Sequence, residues 1–182
     1  MGRRRTHRTY LFPCGVFPLL NRSTFMPYPP IGSQAPSFQL PVTGGAYPEG
    51  TVLSSADLAG KDHVLYFYPK NDTPGCTTQA CALRDGWNDL SKKAAVFGVG
   101  IDSVKSHQKF IQKYSLPFPL LADEEKTLAG AYGVWVEKYM YGKTYLGTER
   151  STFVIGPDGT IKAILPKVKP AEHLEQLLAA LG

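Results

Sequence analysis

Cys76 and Cys81 stand five positions apart in the stretch YPKNDTPGCTTQAC, residues 68–81, the first just after a Thr-Pro-Gly turn. Such a pair can be a structural staple, a metal clip or a reactive couple, and its surroundings separate these. Ala80, Leu83, Trp87 and Leu90 recur at helical spacing from about Pro74 to Lys93, which predicts one helix with both cysteines in its first turns. A thiol there meets unsatisfied N–H groups and the positive end of the helix dipole, and both favour the thiolate, the nucleophilic form. Thr73, three residues earlier, can place its hydroxyl beside the sulfur or simply cap the helix, while Pro69 and Pro74 stiffen the loop.

In a regular helix five residues rise about 7.5 Å and turn about 140°, which sets the two Cα atoms roughly 8.6 Å apart. A disulfide needs less than about 7 Å. A bond between these cysteines therefore requires the first turns to unwind, as a transient catalytic state rather than a static staple. A metal is disfavoured too, because two sulfurs with no Cys or His close by leave a four-ligand site half empty. Neither a metal nor another cofactor is expected. His63, His107 and His173 read as surface or capping residues, and Gln79 and Arg84 as a solvated helix face or supports of the site.

The elements that must position the pair follow from the flanking patterns. HVLYFYP at 63–69 is a continuous apolar run stopped by proline, the mark of a strand buried on both faces. AVFGVGID at 95–102 is a second such strand, SVKSHQKFIQKYS an amphipathic helix, PFPLLAD a short strand and EEKTLAGAYGV a third helix ending near Gly133. STFVIGPDGTIKAIL reads as a hairpin about Pro157-Asp158-Gly159, and PAEHLEQLLAALG as a helix opened by Pro170. Upstream, SFQLPV reads as a strand, SSADLAG as one capped helical turn and PYPPIGSQAP as an extended lead-in. Strands alternating with helices predict an α/β fold with helices on both faces of a central sheet.

Pro69-x-x-x-Thr73-x-x-Cys76 matches the active-site signature of peroxiredoxins, and TPGCTTQAC resembles the bacterioferritin comigratory protein, or peroxiredoxin Q, subgroup. The similarity continues through LLADEEKTLAGAYGVW and GKTYLGTERSTFVI and covers most of residues 30–181. The resemblance implies a thioredoxin-like fold with a central mixed sheet, and reduction of hydrogen peroxide and organic hydroperoxides. It implies that Cys76 is the peroxidatic nucleophile, oxidised to sulfenic acid, and that Cys81 is the resolving thiol that closes a transient intramolecular disulfide. Arg150 in ERSTFVI would face the thiolate, Thr73 would offer its hydroxyl, Pro69 would shield the site, and thioredoxin or a similar dithiol would return the electrons. The departures are Gly156, where relatives usually carry Asp, and the arginine-rich leader. Trp135 and Tyr139 read as core residues rather than a lining of the approach to the site.

Rival readings are a thiol-disulfide oxidoreductase on the same fold, which calls for C-x-x-C, and a copper carrier, which calls for C-x-x-x-C with a histidine. A third is nucleic-acid binding by the leader RRRTHR. The net charge of +5 comes from five arginines ahead of the first acidic residue, Glu49, so the rest of the chain is balanced and carries no distributed nucleic-acid or membrane footprint. Residues 1–26 read as a disordered basic leader, with targeting by residues 1–25 the minor alternative, Cys14 incidental and Met26 a second candidate start, and residues 27–182 as one domain. With no apolar run near eighteen residues, the chain is expected to be a soluble, cytoplasmic protein, and an intramolecular disulfide suits a monomer.

Overall fold

A computed structural model describes residues 27–182; the basic leader, Cys14 and Met26 lie outside the described residues. All five residues of β3 (His63–Phe67), the strand that leads into the cysteine segment, are buried. β3 pairs in parallel with β4 (Ala95–Gly100) and antiparallel with β8 (Ser151–Ile155). Adding β1 (Gln39–Thr43), β2 (Val52–Ser54), β5 (Leu120–Ala122) and β9 (Ile161–Leu165) completes a mixed sheet in the order β2-β1-β5-β4-β3-β8-β9. β8 and β9 form the hairpin that Pro157-Asp158-Gly159 predicts, with Gly159 at a φ of 79° that suits glycine.

Side chains alternate along β3, so the sheet supports two cores. Leu65 and Phe67 join Phe97, Val99, Leu121 and Phe153 beneath a 3-10 turn (Ser55–Leu58) and α4 (Thr127–Ala131). Val64, Tyr66 and Tyr68 join Val96, Leu120 and Val154 on the other side. There they meet α1 (Pro74–Asp85), α2 (Trp87–Lys93), α3 (Val104–Tyr114) and α5 (His173–Ala180). Helices thus cover both faces of a central mixed sheet, as the pattern of elements predicts.

Three local expectations change. The helix predicted over 74–93 is two helices, because the chain breaks at Gly86 where α5 crosses it. A side chain there would bring its Cβ to 2.4 Å from Leu174 Cδ1, and glycine, a poor helix former, serves both the approach and the break. The last helix begins at His173 rather than Pro170, which lies in the turn leading to it. Tyr139 is 76% exposed instead of belonging to the core. It lies on β6 (Trp135–Met140), which among the described residues pairs only with β7 (Lys143–Thr148), in a hairpin separate from the main sheet. Trp135, at the base of that hairpin, does pack against the core. The lead-in is tied down: Gly32 N–H donates to Ile161 O at 2.8 Å and Ala35 N–H to Gly159 O at 2.9 Å.

Candidate active site

α1 starts immediately after the loop that leaves β3, and its first turn is shaped by the local sequence. Pro74 takes the first helical position, where its missing N–H costs nothing, and Thr73 is the N-cap in extended conformation. Thr77 N–H donates back to Thr73 O at 2.8 Å. The N–H groups of Gly75 and Cys76 precede that bond and have no carbonyl to meet within the helix. Cys76 is 2% exposed, Cys81 is half-buried further along the same regular helix, and both are free thiols.

Arg150, between β7 and β8, brings Nη2 to 3.4 Å from Cys76 Sγ and donates from Nη1 to Gln79 Oε1. A Cβ on Gly75 would stand 3.4 Å from the same Nη2, so a glycine there gives the guanidinium room beside the helix start. The Arg150 carbonyl is anchored by Val168 N–H at 2.8 Å. Glu149, the acid that could have drawn Arg150 away, accepts a hydrogen bond from the Tyr28 hydroxyl. Burial and that carboxylate push Tyr28 up to about 12, so the phenol keeps its proton to donate. None of the ion pairs among the described residues involves Arg150.

The loop that carries Pro69 and Thr73 is riveted to α3. Asn71 N–H donates to Asp102 Oδ2 at 2.8 Å, and its side-chain amide donates to Ser106 Oγ and faces His107 Nδ1, both at 2.9 Å. Tyr68 OH donates to Asn71 Oδ1 at 2.8 Å, and Lys113 Nζ reaches Asp72 Oδ2 at 2.7 Å. The Thr73 hydroxyl donates to Lys70 O at 3.1 Å rather than to the sulfur, and Pro69 is half-buried at the end of the strand.

The histidines depart from expectation. His63, His107 and His173 are 5%, 0% and 0% exposed rather than surface or capping residues. His63 opens the buried strand, His107 turns into the loop network, and His173 lies on the inner face of α5 one turn before Leu177. Burial lowers the pKa of all three, that of His173 to about 3 with the charge of Arg150 adding to the effect. Gln79 is also fully buried, and its Nε2 lies 2.8 Å from His173 Nδ1, whose Nε2 lies 2.9 Å from Thr152 Oγ1.

The structure therefore brings Cys76 and Arg150 together and adds three residues that sequence reasoning did not assign. Gln79 had been open between surface and support. His173 carries a periodic signal, since it shares the buried stripe of α5 with Leu177. Lys138 of β6 carries none: its half-buried ammonium donates to Thr148 O at 2.5 Å, and burial, aided by the charge of Arg150, lowers its pKa. Arg84 instead donates from Nη1 to Tyr114 O at 2.9 Å and pairs with Asp85. Among the described residues no three His, Cys, Asp or Glu side chains gather as a metal site would need. A cleft of about 460 Å³ near His63, at the other end of β3, is lined by Phe38, Leu58, Tyr132 and Ile155 and contains neither cysteine.

The profile of the AhpC/TSA family matches residues 31–164. A bcp chain of Coxiella burnetii is 50% identical over 152 residues, 83% of this chain and 97% of its own length. Peroxiredoxin Bcp of Bacillus subtilis is 45% identical over 152 residues, 83% of this chain and 94% of its own. Among solved structures, Xanthomonas campestris peroxiredoxin Q superposes with a TM-score of 0.72 at 42% identity, covering 79% of this chain and 89% of that one. A second structure of the Xanthomonas campestris bacterioferritin comigratory protein, with a TM-score of 0.72 at 41% identity, comes from work on its alkyl peroxide reduction activity.

Proposed function

The chain belongs to the AhpC/TSA family, in its peroxiredoxin Bcp and Q branch, and on that footing we propose that its thiol-dependent peroxidase reaction runs on Cys76 as nucleophile and Cys81 as resolving thiol. The observation that carries the reading is the Arg150 guanidinium 3.4 Å from a buried Cys76 Sγ at the first turn of a helix. The Arg150 charge reaches the sulfur, and unclaimed helical N–H groups lie at the same end of α1, surroundings that suit a thiol nucleophile.

The substrate class is a hydroperoxide, alkyl hydroperoxides among them. Cys76 thiolate attacks the terminal oxygen, the O–O bond breaks, and the hydroxyl stays on sulfur as sulfenic acid. The other oxygen leaves with the bonding pair as alkoxide, or as hydroxide from hydrogen peroxide, and takes up a proton. Negative charge grows on that oxygen, where donors held in place matter most. Arg150 keeps N–H groups beyond those given to Sγ and Gln79, the Gly75 and Cys76 amides lie close by, and the Thr73 hydroxyl joins them by turning from Lys70 O.

Cys81 then condenses with the sulfenic acid and expels water, leaving a 76–81 disulfide. With both residues on one regular helix the Cα atoms are roughly 8.6 Å apart, so α1 must unwind between them first. The break at Gly86 confines that unwinding, because α2 is a separate helix. A dithiol protein such as thioredoxin returns the thiols by exchange. The pairing needs no second subunit, and the working unit on this reading is a monomer.

The test is peroxide-dependent NADPH oxidation coupled through thioredoxin and thioredoxin reductase, for wild type, Cys76→Ser and Cys81→Ser, with intact masses taken after peroxide. Loss of turnover in both variants, with a disulfide in the wild type alone, supports the reading. Full turnover by Cys76→Ser ends it. Insulin reduction without peroxide would favour the rival thiol-disulfide oxidoreductase.

A further inference from the structure

Five groups on four segments form one unbroken chain of contacts: Cys76 Sγ, Arg150, Gln79, His173 and Thr152. Cys76 and Gln79 belong to α1, His173 to α5 and Thr152 to β8, and Arg150 immediately precedes β8. Gln79, His173 and Thr152 are all 0% exposed, so bulk solvent does not reach these contacts.

The polarity of the chain can be deduced. Arginine only donates, so the oxygen of the Gln79 amide must face it and the NH₂ must face His173 Nδ1. Nδ1 is therefore the acceptor, and the ring carries its proton on Nε2, which donates to Thr152 Oγ1. A proton on Nδ1 would oppose the Gln79 NH₂ and turn the amide over. Its NH₂ would then point at the guanidinium, donor against donor, and push Arg150 off the sulfur. Burial and the nearby Arg150 charge both keep the ring neutral and the acceptor open.

We infer that His173 is a positioning residue for the peroxidase reaction: as a hydrogen-bond acceptor it fixes the orientation of the Gln79 amide, which aims the Arg150 guanidinium at Cys76. The inference rests on the assignment of Cys76 as nucleophile. Thr152, by accepting from Nε2, selects the tautomer that leaves Nδ1 free. Displacing the guanidinium by a fraction of the 3.4 Å contact weakens the stabilisation of both thiolate and leaving oxygen.

The experiment measures the rate at which hydrogen peroxide oxidises Cys76 in the reduced protein, read by stopped-flow tryptophan fluorescence and by loss of alkylation at Cys76. His173→Phe keeps the ring volume and removes the acceptor, and slows the reaction roughly tenfold. Gln79→Leu slows it equally, and the double variant loses no more than either single. His173→Asn, which can set its Oδ1 in the place of Nδ1, restores the rate. Wild-type speed in His173→Phe, or losses that multiply in the double variant, overturns the inference. Cys76→Ser is the separate control: if it still consumes peroxide, the proposed nucleophile fails, whatever His173 does. Because His173→Phe can fail to fold, ¹⁵N-histidine spectra of the reduced wild type give a reading free of mutation. The histidine whose signal disappears in His173→Asn should show a bare Nδ1 and a protonated Nε2 from pH 8 to 5, a signal separate from that of His107, whose Nδ1 also faces an amide, that of Asn71. The opposite tautomer or an imidazolium at this residue overturns the inference as well.

Discussion

Arg150 and Cys76 are 74 residues apart in sequence, yet Nη2 and Sγ are 3.4 Å apart in the fold. The contact exists because β3 and β8 are neighbours in the sheet, Phe67 opposite Ser151, so the loop after one and the residue before the other share an edge. Sheet register, rather than local sequence, sets this distance.

Arg150→Lys should slow the oxidation of Cys76 by peroxide on the order of 100-fold, the scale of losing one aimed donor in a site that excludes water. An ammonium keeps the charge but cannot serve Sγ and Gln79 at once, as the planar fork does. Stopped-flow fluorescence under single-turnover conditions measures this step apart from reduction by the dithiol.

Cys81→Ser should keep the first oxidation near the wild-type rate and lose turnover with thioredoxin. Intact mass after excess peroxide should show sulfinic or sulfonic Cys76 where the wild type shows a disulfide. An unchanged steady-state rate would assign resolution to another thiol.

The buried histidines predict an acid-labile fold. An unfolded histidine takes up its proton below about 6.5, whereas His173 holds out to about 3. Between those values the unfolded chain binds the extra proton, so stability falls as pH falls. From pH 8 to pH 5 the His173 contribution to that loss is about 2 kcal/mol. Urea unfolding at both pH values should show a smaller difference for His173→Asn, which has nothing to protonate there.

Gly86→Ala should destabilise by about 1–3 kcal/mol, because the added carbon stands 2.4 Å from Leu174 Cδ1. Adding Leu174→Ala should make the double loss smaller than the sum of the single ones. Urea midpoints across the four proteins check this, and additive losses would show that the clash is relieved elsewhere.

Much of the scaffold was legible because its signals are local. The apolar run at 63–67, the Pro-Asp-Gly hairpin and the amphipathic stretch of α3 each announce their element without help from distant residues. The helix start at Thr73-Pro74 could be read the same way, and with it the placement of Cys76. Gly86 breaks the helical pattern because of Leu174, almost ninety positions away, and no periodicity reports such a crossing. The same limit hid the Gln79 amide between Arg150 and His173: a polar residue on a helix reads as solvated until its neighbours are known. Tyr139 failed in the opposite sense: with no element assigned to it, an aromatic residue reads as core, whereas it stands on a hairpin apart from the sheet.

Between the two sulfurs α1 carries Thr77 and Thr78, whose branched side chains make poor helix, each up to about 0.7 kcal/mol worse than alanine. In the cycle proposed above, where Cys76 must leave the helix to meet Cys81, those residues would act as a clock. The time the turn takes to open is the time a second peroxide has to reach the sulfenic acid. On the proposed two-cysteine reading, residues that favour the helix less than alanine shorten that interval and should raise the dose of peroxide the protein withstands. Alanines in the same two places would tighten the winding, lengthen the interval and make the protein burn out at a lower concentration of peroxide.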